Sequence, residues 1–219
     1  MANAMKSVLG ALFFFWLMAT KAVLADGASI ALSGNNRGAP ACVTCHGASG
    51  AGGVANGFPR LPGLNAGYLQ AQLDAFANGQ RRNAMMTPIT QILSPDERAA
   101  LARYYSGLTI STDPSPPPNT ETIGAQLALK GRWSDGLPAC VQCHGATGAG
   151  VGRTFPALAG QSALYIENQL HAWQQGSRAP GPMGLMKLIA SKLSAVEIKS
   201  VAAYFAAIQP EAAEKGRAP

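Results

Sequence analysis

The chain has 219 residues, 47% of them hydrophobic and 13% charged, with 25 Gly and 15 Pro. That balance is too apolar for a disordered protein and too interrupted for one long coiled coil, so one or two globular domains are expected. The formal net charge of +6 is mild, and with no run of Lys or Arg interleaved with aromatics the composition speaks against nucleic-acid binding.

At the N-terminus, Lys6 precedes an apolar run from Val8 to Ala19, and Val23-Leu24-Ala25 sets small residues where a signal peptidase cuts. Residues 1–25 therefore read as a cleaved secretory signal peptide. The run of 12 residues is shorter than the roughly 20 that a membrane span needs. Cleavage would leave a chain of net charge +4.

A short helix is expected at about 27–34, ahead of Cys42-Val43-Thr44-Cys45-His46. Asn65 can cap the next helix, whose Tyr68, Leu69, Leu73 and Phe76 recur at helical spacing. A Met85-Met86 pair follows. Ser94-Pro95-Asp96-Glu97 is a capping box with Pro at the favoured first position, opening a helix that carries Leu101, Tyr104, Tyr105 and Leu108.

Everything from the first Cys motif onward then recurs. Ala39–Gly52 returns as Leu137–Gly150 at an offset of 98, Phe58-Pro59 as Phe155-Pro156 at 97, and Leu93-Ser94 as Leu193-Ser194 at 100. Gln72, Phe76 and Arg81 return as Gln169, Trp173 and Arg178. Such small drift means two copies of one unit with short loop insertions. Between them Pro114, Pro116, Pro117 and Pro118 forbid helix and favour an extended linker. The expected organisation is a domain at 26–112, a Pro-rich linker at 113–118 and a second domain at 119–219. No alternating strand pattern of any length occurs, so the fold class is all-α.

Both copies carry Cys-x-x-Cys-His: Cys42, Cys45 and His46, then Cys140, Cys143 and His144. This is the spacing of covalent c-type haem attachment. Residues i, i+3 and i+4 share one helical face, so two thiols can reach two vinyl groups while the imidazole comes under the iron. A zinc ribbon would bring its Cys pairs within roughly 15–20 residues of each other, and a thioredoxin-like pair would sit on a βαβ pattern. A structural disulfide would need no His. Two covalently bound haem c groups are therefore expected, with all four cysteines used.

The sixth iron ligand separates an electron carrier from an enzyme, and methionine suits a carrier because a soft thioether favours ferrous iron. Each copy offers two. At the local offset of 100, Met86 pairs with Met186, whereas Met85 faces Leu185 and Met183 faces Asn83. The expected axial pairs are His46 with Met86 and His144 with Met186. His171 aligns with Asp74 and reads as a surface residue. The Gly clusters after each motif lack the Gly-Lys-Ser/Thr of a phosphate loop and read as tight turns beside a porphyrin edge.

On these motifs, with the Phe-Pro-x-Leu-x-Gly segments and the Met86 and Met186 stretches, the chain resembles the dihaem class I cytochromes c, most closely the cytochrome c4 family. The resemblance covers essentially the whole mature chain, although Ala84 and Leu185 stand where that family commonly has Pro and a second Met. It implies two tandem class I cytochrome c domains about an approximate two-fold axis. It also implies Pro59 and Pro156 carbonyls accepting from the ligand histidines, and Leu61 and Leu158 packed on the porphyrins. Function by resemblance is single-electron transfer in the bacterial periplasm, from a quinol-oxidising complex or a dehydrogenase to a terminal oxidase, with loose membrane association. Two rival readings share the plan: the haem subunit of a dehydrogenase complex, such as a flavocytochrome sulfide dehydrogenase, and a dihaem redox enzyme with an open iron position.

Charge divides unevenly, +1 over residues 26–118 and +3 over 119–219. The second half is therefore expected to dock an acidic partner, with Lys187 and Lys192 near its haem edge.

Overall fold

The computed structural model describes residues 25–53, 55–110, 118–179 and 181–210. The expected signal peptide up to residue 24 and residues 111–117 of the expected linker lie outside the described residues. In the first half the helices are α1 (Gly27–Ser33), α2 (Val43–His46), α3 (Ala66–Ala77), α4 (Met86–Ile92) and α5 (Pro95–Gly107). In the second they are α6 (Ile123–Leu129), α7 (Val141–His144), α8 (Ala163–Gln174), α9 (Leu185–Ser191) and α10 (Ala195–Ala207). Single 3₁₀ turns occupy Trp133–Asp135 and Pro182–Gly184. Among the described residues there are isolated β-bridges and no strands.

The caps read from sequence form as expected. Asn65 accepts from the Tyr68 amide and Ser162 from the Tyr165 amide. Both boxes close reciprocally, Ser94 with Glu97 and Ser194 with Glu197. Each box is tied further: Arg37 bonds Glu97 and the Ile92 carbonyl, while Arg132 bonds Glu197 and the Lys192 carbonyl. One cation thus fastens the loop ahead of the haem motif to the start of the last helix.

In each half the last helix is the packing hub. α5 lies on α1 and α3, and α10 lies on α6 and α8; α4 and α9 pack on α3 and α8. The α1/α5 and α6/α10 crossings are close because Gly27 and Gly124 sit there. A Cβ at Gly27 would stand 2.3 Å from the Ala100 carbonyl oxygen, and one at Gly124 2.1 Å from that of Ser200. Ile30, Leu69, Leu101 and Tyr105 fill the first core, and Leu127, Leu170, Ile198 and Phe205 the second. Burying one such side chain is worth about 1.5–3 kcal/mol.

The halves meet through a polar seam built around recurring residues. Arg81 and Arg178 face each other as an antiparallel bridge, and the Ala179 amide donates to the Gln80 carbonyl at 2.9 Å. Each guanidinium donates to a glutamine of its own half, Arg81 to Gln72 at 2.9 Å and Arg178 to Gln169 at 3.0 Å. Each also crosses, Arg81 to Gln169 at 2.5 Å and Arg178 to Gln72 at 2.9 Å. This reciprocity is what an approximate two-fold axis requires. One clasp breaks it: Arg60 and Gln161 exchange two hydrogen bonds at 2.8 and 3.0 Å, and the Arg60 guanidinium reaches the Ala159 carbonyl at 2.9 Å.

Candidate functional site

The two Cys-x-x-Cys-His segments fold alike. Cys42 and Cys140 cap single-turn helices, α2 and α7, that end at His46 and His144. The chain then folds back on itself. The Gly52 amide donates to the His46 carbonyl at 2.9 Å and Gly150 to His144 at 2.7 Å, after which Leu61 and Leu158 bond Gly50 and Gly148. The sequence reads these glycines as tight turns beside a porphyrin edge, and at Gly52 and Gly150 the chain's own backbone leaves no room for a side chain. A Cβ at Gly52, where φ is +85°, would stand 2.4 Å from the Phe58 carbonyl oxygen, and one at Gly150 2.6 Å from the Ala157 amide.

That fold-back carries the Phe-Pro pair to the imidazole. His46 Nδ1 donates to the Pro59 carbonyl at 3.1 Å and His144 Nδ1 to the Pro156 carbonyl at 2.8 Å. Phe58 and Phe155 lie against the two rings, centroids 6.2 and 6.1 Å apart. Both imidazoles are buried, which holds their pKa below the ordinary histidine value even though the proline carbonyls favour the protonated form. Each is thus a neutral ring whose tautomer is fixed at Nδ1, with the Nε2 lone pair available.

None of the four cysteines is paired in a disulfide. Among the described residues no three His, Cys, Asp or Glu side chains gather as a metal site made by protein alone. What each half offers is two thiols and one neutral imidazole on a single turn. This set suits a porphyrin held covalently by the two thiols, with the imidazole as a protein ligand to its iron.

The methionines separate by position. Met86 opens α4 and Met186 lies in the first turn of α9; both are half-buried, and Met186 packs against the second core. Met85 and Met183 are 49% and 95% exposed. Leu61 and Leu158 pack against their respective cores. His171 is half-buried on α8, its Nδ1 3.0 Å from Gln174 Oε1. Lys187 is exposed, whereas Lys192 donates to the Asp135 carbonyl at 2.5 Å.

The model of the cytochrome c family matches residues 26–109 and again 124–209. The chain belongs to the cytochrome c family. It is 47% identical over 77% of its length, and 79% of the relative's, to the thiosulfate dehydrogenase electron acceptor of Thiomonas intermedia (strain K12). It is 34% identical to cytochrome c4 of Pseudomonas aeruginosa over 83% of this chain and 90% of that one. Among solved structures, cytochrome c4 of Pseudomonas stutzeri superposes with a TM-score of 0.70 at 28% identity, covering 83% of this chain and 96% of that one. The thiosulfate dehydrogenase TsdBA of Marichromatium purpuratum superposes at 0.76 with 42% identity over 84% of this chain, which spans 40% of that longer chain.

The cytochrome is thus a dihaem protein of the electron-transferring kind, with two tandem cytochrome c domains and one covalently bound haem c in each. No helix among the described residues is long and apolar enough to cross a membrane.

Two sets of residues carry no role in the sequence reading. Asn83 caps the turn leading to Met86, its Oδ1 accepting from the Met85 and Met86 amides at 3.0 and 2.9 Å. Gln72, Arg81, Gln169 and Arg178 build the seam. Their recurrence at the repeat offset was the available signal.

Proposed function

We propose that the cytochrome is a periplasmic single-electron carrier that takes electrons from a thiosulfate dehydrogenase and passes them toward a terminal oxidase. Bound haem c supplies a one-electron iron couple. In this reading Cys42 and Cys45, then Cys140 and Cys143, hold the two porphyrins, with His46 and Met86 and then His144 and Met186 as axial ligands. The histidines are pre-oriented by Pro59 and Pro156, so little in the protein has to move when the iron changes charge. Electrons would pass between the halves near the seam, since Arg60, one residue beyond the carbonyl that orients His46, already contacts the second half.

The observation that carries the donor assignment is the 47% identity to a protein named as an electron acceptor of thiosulfate dehydrogenase. Mixing the holoprotein with that enzyme and thiosulfate should reduce both haems, and the reduced protein should leave carbon monoxide unbound. Carbon monoxide binding to the native reduced form would overturn the methionine ligation. Intact ligation without reduction by the enzyme would overturn the donor alone.

One observation favours a second reading, a haem unit in stable complex with its dehydrogenase: the chain matches 40% of a longer thiosulfate dehydrogenase chain. Co-elution with the enzyme through size-exclusion at physiological salt would decide for that reading, and separate elution for the free carrier.

A further inference from the structure

Where α4 turns into α5, and α9 into α10, an arginine ties the corner in the same way, Arg37 to Glu97 and the Ile92 carbonyl, Arg132 to Glu197 and the Lys192 carbonyl. The two corners are dressed differently. The loop bearing the arginine reads Asn35-Asn36-Arg37 in the first half and Arg132-Trp133-Ser134-Asp135 in the second. Trp133 is 61% exposed, and Leu188 on α9 and Val196 on α10 are 55% and 68% exposed. At the offset of 100 the first half has Pro88 and Asp96 in the places of those two.

The exposure of Leu188 and Val196 follows from the helical period. Met186, Ile189 and Ala190 face the second core from α9, and Ile198, Val201 and Phe205 face it from α10. At 100° per residue, Leu188 and Val196 fall on the opposite faces of their helices, away from Met186.

Positive charge gathers on the same side. All four lysines of the described residues belong to the second half: Lys130 at the end of α6, Lys187 on α9, Lys192 at its C-cap and Lys199 on α10. None of them takes part in an ion pair, and the acids of the corner, Asp135 and Glu197, are already held by Arg132. Grouped exposed apolar side chains mark a contact surface, and uncompensated cations beside them select an acidic partner. Both segments that build the corner also lead to the functional residues. Trp133 precedes Cys140 by seven residues, and Leu188 follows Met186 by two. A redox protein seated there is brought to the second haem domain, whereas an anionic lipid surface on the same face would block that approach.

We propose that this corner is the docking surface for an acidic redox protein, anchored by Trp133 with Leu188 and Val196 beside it, so that electrons enter or leave through the second half. The proposal rests on the carrier reading and is independent of which protein is the donor.

The test measures second-order rates of electron exchange between the holoprotein and thiosulfate dehydrogenase, and between the holoprotein and a terminal oxidase. The variants are Trp133→Ala, Trp133→Phe, Leu188→Ala with Val196→Ala, and Lys130→Glu with Lys199→Glu. Leu32→Ala, which trims a side chain 54% exposed on the first half, is the control. Haem spectra, both potentials and thermal stability should match the wild type throughout, because every changed side chain is exposed. Trp133→Ala should slow exchange with at least one of the two proteins by about tenfold or more, at low and high salt alike, as loss of an anchoring aromatic does. Trp133→Phe and the Leu188 and Val196 pair should lose less, and the lysine reversals should act only at low ionic strength. Leu32→Ala should change nothing. Rates that Trp133→Ala leaves intact with both proteins, or that Leu32→Ala lowers equally, overturn the proposal. If the dehydrogenase does not reduce the wild type, the donor assignment falls and the oxidase decides the surface; exchange with neither overturns the surface as well. Binding to phosphatidylglycerol vesicles that Trp133→Ala abolishes, with rates unchanged, would make the corner a lipid contact. A dimer lost in Trp133→Ala on size exclusion, again with rates unchanged, would make it a self-contact. Either result overturns the proposal.

Discussion

Residues 83–86 and 183–186 hold the same place in the two halves and reach it along different backbones. In the first half Asn83 caps the turn, and the buried Thr90 hydroxyl ties α4 together by donating to the Met86 carbonyl at 2.9 Å. In the second, Met183 stands where Asn83 would and adopts φ +57°, the one non-glycine residue with positive φ among those described. Gly184 enters α9 with no side-chain cap, and Ala190 replaces Thr90. A β-carbon in the left-handed region costs about 1–2 kcal/mol. A duplicated unit therefore presents one methionine from a capped turn and the other from a strained one.

The helix behind each haem motif differs too. Tyr105 and Phe205 press on the glycines four residues after the histidines, Gly50 and Gly148, where a Cβ would meet their rings. Phe205 is fully buried and apolar. The Tyr105 hydroxyl is buried beside the Cys42 thiol with no hydrogen-bond partner of ordinary geometry. Burial pushes its pKa well above the usual tyrosine value.

The comparison breaks most sharply at the proposed ligands, Met86 and Met186. Met86→Ala and Met186→Ala should each open one iron to carbon monoxide and lower that haem's potential, by a sizeable part of the roughly 0.8 V that axial ligands span. The other haem should keep its ligand set. Spectroelectrochemistry of the two variants checks this, and loss of both ligand sets from one substitution would refute separate sites.

Exchanging the aromatic residues should have the next largest effect. Phe205→Tyr places a hydroxyl where no partner waits and should cost about 1–3 kcal/mol, whereas Tyr105→Phe should be neutral or mildly stabilising. Denaturant titration of the holoproteins measures both. A loss of about 1 kcal/mol or more in Tyr105→Phe would mean that the Tyr105 hydroxyl is satisfied after all.

The turns come third. Asn83→Ala should destabilise the first half by about 1 kcal/mol through the lost cap. Met183→Gly should stabilise the second by up to about 1 kcal/mol as the strain is relieved. Imidazole competing for the sixth position should displace Met186 more readily than Met86 in the wild type, and Met183→Gly should narrow that gap.

The smallest effect concerns charge. Lys187→Glu with Lys192→Glu should reduce the rate of electron transfer to an acidic partner several-fold at low ionic strength and little at high, since exposed charges are screened beyond about 10 Å at 0.1 M salt. Lys187 should contribute more than Lys192, whose ammonium already bonds the Asp135 carbonyl. An unchanged salt dependence would remove the second half as the docking side.

Much of this molecule is local, and the sequence states local things. The capping boxes at Ser94 and Ser194, the caps at Asn65 and Ser162, the single-turn Cys motifs and the helical class all follow from residues within one or two turns of each other. Duplication adds a second, independent reading of each, which is why Met86 and Met186 stand apart from Met85 and Met183. The seam was closed to that kind of reading. Arg81, Arg178, Gln72 and Gln169 announce their recurrence, but their burial depends on how two separate units dock. Gly27 and Gly124 look like ordinary helix starts until a helix some 70 residues away crosses over them. Hydrogen-bond caps and helical faces are set by neighbours in the chain, whereas close approach and buried charge are set by neighbours in space. That is where the tertiary structure decided.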